Sequence, residues 1–256
     1  MESVVLKASK KAFGLIVLTL FIFSSFLLIN QNAEAQPDLF ENGSFETGDF
    51  TDWTVVQEPG SGGNWFVYSG NLPLLTNQAI LLPPDGTFAA TTDQTDPSSQ
   101  VLFQDIEVPA QGTTECSVIV YYNNLAGEFI NGPNLNTQGP GSNQQARIDI
   151  MDPNATDFDI GAGVLENLFQ TNPGDPLVLG YTTIKFDLTD FAGTTVRFRA
   201  AEVDNLGNFL FSIDNVTCAG EITAQVPTLS EWGLIAMASI LGIVGFMVMR
   251  RRQVAA

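Results

Sequence analysis

Hydrophobic and polar positions follow two different periods along this chain. Between residues 115 and 122, Cys116, Val118, Val120 and Tyr122 alternate with Glu115, Ser117, Ile119 and Tyr121. Between 195 and 203, Val196, Phe198 and Ala200 fall on one side and Arg197 and Arg199 on the other. A period of two predicts strands. Further runs rich in β-branched and aromatic residues predict strands over 65–69, 88–92, 101–108, 146–151, 183–188 and 209–218. Turn clusters such as Pro83-Pro84-Asp85-Gly86 and Asn172-Pro173-Gly174-Asp175-Pro176 separate them. Residues 164–171 fit either a short strand or a helical turn. Eight or more strands over 36–220 predict an all-β domain, a two-sheet jelly-roll β-sandwich with one core.

Both ends of the chain break this pattern. Lys7, Lys10 and Lys11 precede an apolar run over 13–29, and Ala33-Glu34-Ala35 places small residues where signal peptidase reads. Residues 1–35 therefore read as a signal peptide cleaved after Ala35; an uncleaved N-terminal anchor is the competing reading. At the other end, Val226-Pro227-Thr228-Leu229-Ser230-Glu231-Trp232-Gly233 leads into an apolar run over 234–249, followed by Arg250-Arg251-Arg252. Residues 221–231 are expected to be an extended linker carrying a sorting motif, and 232–249 a transmembrane helix. The segment 250–256 is expected to be a basic tail held in the cytoplasm, because Arg opposes transfer across the bilayer. Sixteen apolar residues rise only ~24 Å, against a hydrocarbon core of roughly 30 Å. Trp232, Gly233 and snorkelling arginines are needed to close the gap. Both termini place the middle of the chain outside the cytoplasm.

Composition narrows the chemistry. Of 28 acidic residues only Glu2 and Glu34 lie outside 36–249, whereas of 10 basic residues only Arg147, Lys185, Arg197 and Arg199 lie inside it. So acidic a segment is a poor partner for nucleic acid or anionic lipid. The absence of histidine excludes Ser-His-Asp and Cys-His catalysis and His-ligated metals. Two cysteines, Cys116 and Cys218, exclude a four-cysteine zinc site. In an oxidising compartment they are expected to form a disulfide, with two buried thiols as the alternative. Catalysis survives only as a carboxylate-based glycosidase, and the chain is expected not to be an enzyme.

The C-terminal motif closely resembles the IPTL-CTERM sorting signal, a relative of the PEP-CTERM signals of Gram-negative bacteria. Pro227, Thr228, Leu229, Trp232 and Gly233 stand in the expected places, and Val226 replaces Ile. The resemblance implies recognition by an exosortase-type membrane enzyme. The protein would be anchored in the inner membrane facing the periplasm before processing, and at the cell surface or in the extracellular space afterwards.

Two further stretches resemble the first and last strands of galactose-binding-like and carbohydrate-binding-module jelly rolls. They are Asn42-Gly43-Ser44-Phe45-Glu46-Thr47-Gly48-Asp49-Phe50-Thr51-Asp52-Trp53, and Ala201-Glu202-Val203-Asp204-Asn205 followed by Ile213-Asp214-Asn215-Val216. The resemblance implies that the first and last strands pair and that Glu46 and Asp214 share a structural Ca2+, which takes hard oxygen ligands. The alternative is that both carboxylates accept backbone hydrogen bonds at strand ends. Extracellular polysaccharide is the implied partner. Binding it would need exposed aromatic faces, and Trp53, Trp65, Phe66, Tyr68, Tyr121 and Tyr122 are the candidates, each equally able to lie in the core. The Gly/Asn/Pro-rich stretch 123–145, including Asn131-Gly132-Pro133-Asn134, is a candidate recognition loop. The role expected is structural or adhesive, with a Ca2+-dependent carbohydrate-binding module as the alternative.

Overall fold

In the computed structural model, residues 38–72, 75–137, 141–221 and 229–254 are described. The proposed signal peptide, with Ala33 and Ala35, lies outside them, as do Val226, Pro227 and Thr228. Ten strands form one compact unit within Glu34–Ile222, and the C-terminal helix belongs to a second.

The strands are β1 (Thr54–Gln57), β2 (Gly63–Tyr68), β3 (Ala89–Gln94), β4 (Ser98–Glu107), β5 (Thr113–Asn124), β6 (Gln144–Met151), β7 (Val164–Gln170), β8 (Val178–Asp187), β9 (Thr195–Asp204) and β10 (Phe209–Glu221). They build two five-stranded antiparallel sheets in the orders β1-β4-β9-β6-β7 and β2-β3-β10-β5-β8. This is the expected jelly-roll β-sandwich. All eight predicted strands are present, and the ambiguous segment is β7. The short edge strand β1 was not anticipated.

The core lies between the sheets. Val196, Phe198 and Ala200 of β9 and Ile148 and Ile150 of β6 meet Val118 and Val120 of β5 and Phe209, Phe211 and Ile213 of β10. Alternation along each strand predicts one buried face per sheet, yet β6 is buried at every position and β9 at all but the first. The second face is covered by the segment 152–163. Arg197 pairs with Asp105 and Asp157, and Arg199 donates to the carbonyls of Asp157 and Asp159. Asp149, fully buried, accepts from Arg147, Arg199 and Asn167.

Cys116 and Cys218 are directly opposite in the β5:β10 register and are joined by a disulfide, with no free cysteine remaining among the described residues.

The C-terminal helix α1 runs over Leu229–Val254. It starts three residues before the expected boundary, so Leu229, Ser230 and Glu231 are helical rather than extended. Helicity does not establish the expected membrane span. Among the described residues no helix is long and apolar enough to cross a membrane, in keeping with the ~24 Å rise of the apolar run.

Candidate functional site

The N-terminal motif folds locally through backbone geometry. Residues 42–52 were expected to form the first strand, but they form consecutive turns. Asn42, Phe45, Gly48 and Asp52 all have positive φ, which breaks an extended run. The indole N–H of Trp53 donates to the Asn42 carbonyl, Phe40 and Trp53 pack on Phe198 of the core, and Phe45 packs on Trp53. The motif still meets the last strand, because the Val216 amide donates to the Gly43 carbonyl at 2.9 Å. Gly43 permits this approach: a Cβ there would fall within 1.9 Å of the Val216 carbonyl oxygen.

That contact brings Glu46 and Asp214 to one turn, at residues 85–88. Glu46 Oε1 accepts from the amides of Thr87 and Phe88, both at 2.8 Å, and Asp214 accepts from the amides of Asp85 and Asn215. Gly86 has φ +56° and lies so close to Glu46 that a Cβ would meet its carboxylate at 2.4 Å. Each carboxylate thus accepts backbone bonds. Burial pushes the Asp214 carboxyl up to about 7, opposed by the Asn215 and Asp85 amides and reinforced by the negative charges of Asp85 and Glu46. Among the described residues no group of three or more acidic or cysteine side chains is arranged to hold a metal. A cation here would need backbone carbonyls beside the two carboxylates.

Asp214 belongs to the outer face of the second sheet, where a strap of residues 75–88 is tied down along its length. Asp93 takes the amides of Leu75 and Thr76 and the Thr76 hydroxyl. The Tyr68 and Tyr181 hydroxyls lie 3.0 Å apart and donate to the carbonyls of Leu81 and Leu82. Tyr121 stacks obliquely on Tyr181, and Ile80, Ala89 and Leu210 complete a small apolar cluster under the strap. Burial and the Tyr181 hydrogen bond push the Tyr68 phenol up.

The aromatic candidates sort mostly into cores. Trp53, Trp65, Tyr68, Tyr121 and Tyr122 are all buried, and only Phe66 is half-exposed. Tyr181, which the sequence reading did not single out, joins Tyr68 and Tyr121 on one face. The stretch expected to form a recognition loop is shorter than predicted, since β5 extends to Asn124 and β6 begins at Gln144. The Asn143 side chain ties it internally, accepting from the Gly132 amide and donating to the Asn134 carbonyl.

Residues 224–252 match the IPTL-CTERM motif, a signal of exported proteins. No curated protein matches the chain. Among solved structures, TmCBM61 in complex with β-1,4-galactotriose is similar at 14% identity and TM-score 0.45, over 73% of this chain and 100% of that one. The K3 cleaved adhesin domain of Lys-gingipain from Porphyromonas gingivalis W83 is similar at 12% identity and TM-score 0.46, over 72% of this chain and 98% of that one.

Proposed function

We propose that this is an exported surface protein whose β-sandwich is delivered by its C-terminal signal and serves a non-catalytic, structural or adhesive role in an extracellular polymer matrix. The observation that carries this reading is the motif match over 224–252. The apolar run over 234–249, extended by Trp232 and Gly233 and by snorkelling arginines, is its membrane attachment before processing. The described apolar side chains Ile235, Ile240, Leu241 and Phe246 are exposed, which suits lipid better than water. An exosortase-type enzyme recognises Val226, Pro227, Thr228, Leu229, Trp232 and Gly233, with Arg250, Arg251 and Arg252 holding the tail on the cytoplasmic side. Pro227→Ala or Trp232→Ala is then expected to leave a longer, membrane-retained product while export proceeds normally. Equal masses and fractionation for variant and wild type would reduce the tail to a plain anchor.

A second reading rests on the meeting of Glu46 and Asp214 at residues 85–88: a Ca2+-dependent carbohydrate-binding module in which the two share the ion. Binding to the native state alone stabilises by about 2.7 kcal/mol at a hundredfold excess over Kd. Without Ca2+, Asp214 titrates in the folded state at about 7, above the unfolded value. Its protonated form favours the fold, so the stability it contributes is full below the unfolded pKa near 4 and is lost as pH rises through about 7. The groups facing it are Glu46, Asp85, Tyr68 and Tyr181. In EDTA the melting temperature is expected to fall between pH 5 and pH 8, and Ca2+ to restore most of that loss at pH 8. Asp214→Asn should remove most of the fall in EDTA and diminish the Ca2+ response, whereas Asp175→Asn should leave both unchanged. Glycan-array binding that disappears in EDTA would establish this reading. An identical melting curve with and without Ca2+ would exclude the ion.

A further inference from the structure

A second pair of carboxylates lies elsewhere in the fold, between the two sheets. The alternation that sends Val196, Phe198 and Ala200 into the core continues to Glu202 and Asp204. Both therefore face the interior, and Glu202 is fully buried and Asp204 3% exposed. Gln100 stands opposite Glu202 and Ser98 opposite Asp204 in the β4:β9 register. Gln94 reaches in from the facing sheet. Its amide nitrogen donates to Asp204 Oδ2 at 2.9 Å, the Ser98 amide donates to Asp204 Oδ1 at 2.8 Å, and the Gln100 amide nitrogen donates to Glu202 Oε2 at 2.9 Å.

These bonds orient both glutamine amides with their nitrogens on the carboxylates and leave oxygens behind. Gln94 Oε1, Gln100 Oε1, Glu202 Oε1 and Ser98 Oγ are buried without a hydrogen-bond partner. Three of the four can only accept. The arginines offer no counter-charge here: Arg147 and Arg199 are paired to Asp149, and Arg197 to Asp105 and Asp157. Buried acceptors without donors, beside two carboxyl groups without a cation, are costly in a protein interior. Burial and the Asp204 charge push Glu202 up, and burial pushes Asp204 up to about 7.

We propose that Gln94, Ser98, Gln100, Glu202 and Asp204 form a buried Ca2+ site between the sheets, independent of the Glu46–Asp214 pair. Two carboxylates match the charge of a divalent cation. The two amide oxygens and one hydroxyl are hard, neutral ligands of the kind Ca2+ gathers in sets of six to eight. No sulfur or imidazole is present to favour zinc. Mg2+, which keeps several of its waters, suits an all-protein, fully buried set poorly. The six residues of β3 separate this cluster from the Glu46 turn by roughly 20 Å.

The test uses the full-length protein in detergent, with terbium as a Ca2+ mimic and metal content measured after dialysis against Ca2+. Trp65 is an internal reporter: it lies in the same core, diagonal to Gln94 in the β2:β3 register. In an Asp214→Asn background, which disables the other pair, one Ca2+ per chain and tryptophan-sensitised terbium emission are expected to remain. Adding Glu202→Gln, which conserves shape, should abolish both while the far-ultraviolet spectrum stays that of a β-protein. If that variant does not fold, Gln100→Leu in the same background should weaken Ca2+ affinity at least about tenfold, the scale of a lost supporting ligand. Asp214→Asn protein free of Ca2+, or Glu202→Gln protein that retains it, would overturn the proposal and leave the cluster as a carboxyl pair sharing protons. Loss of all Ca2+ on Glu202→Gln alone would instead count against the Glu46–Asp214 ion.

Discussion

Replacing Asp149 with alanine is expected to destabilise the protein by about 3–5 kcal/mol, the cost of removing one partner from a buried ion pair. Asp149 is inaccessible and serves both Arg147 and Arg199, whose side chains are 6% and 0% exposed. Without it two guanidinium groups stay buried on the outer face of the first sheet, and among the described residues Arg199 keeps the carbonyls of Asp157 and Asp159 as acceptors. Burial already pushes Arg199 down from its ordinary pKa, with the Asp149 charge as the main opposing effect. Urea denaturation of Asp149→Ala beside Glu166→Ala, an exposed control expected to change stability by less than about 0.5 kcal/mol, measures the difference. A loss below about 1 kcal/mol for Asp149→Ala would mean that the network is well hydrated and contributes as surface pairs do.

Opening the disulfide is the other large effect. Cys116 and Cys218 are 102 residues apart in sequence, and the chain-entropy model gives up to about 4–5 kcal/mol for a loop of that length. Because the pair sits in register between two strands already joined by a ladder, its loss should leave the folded sheet intact and act on the unfolded chain. The Cys116→Ala/Cys218→Ala variant is therefore expected to keep its β-sheet spectrum but unfold at a markedly lower urea concentration. Protein exported to the periplasm should contain no free thiol. Quantitative labelling of both cysteines under denaturing, non-reducing conditions, or an unchanged midpoint for the double variant, would contradict this.

How far the fold could be read from the sequence depended on where each residue's energy comes from. Strands such as β5 and β9 were legible because burial on one sheet face imposes alternation, which a sequence displays directly. The edge strand β1 was not, since Thr54–Gln57 pairs on one side only and carries two adjacent valines without alternation. In β7 the apolar positions Val164, Leu165, Leu168 and Phe169 satisfy a helical spacing as well as a strand, and two register shifts against β6 break the period further. What periodicity could not express was burial of the second face. Arg199 falls on the polar side of the β9 alternation, and the segment folded over it makes both it and Asp149 interior.

The candidate sites divide in the same way. Motif residues in the tail were legible because a sorting signal is a linear pattern read by another protein. Glu46 and Asp214 were singled out only through resemblance, and their meeting at residues 85–88 depends on the Gly43–Val216 contact, 173 positions apart in the chain. The Glu202–Asp204 pair had a signal that went unused: extending the Val196, Phe198, Ala200 alternation by two further steps places both carboxylates in the core. Tyr181 was missed for a related reason, because a register irregularity in β8 beside Tyr121 disturbs the alternation that would have marked it.

The proposed function implies that the mature protein is the β-sandwich, released from its leader and its sorting tail. Intact-mass measurement of the protein isolated from its native host tests this most directly. The account predicts a species beginning at Gln36 and ending near the 226–233 motif, well below the 27.6 kDa of the full chain. A product of full mass, or one trimmed at the N-terminus alone and still carrying residues 234–256, would contradict it.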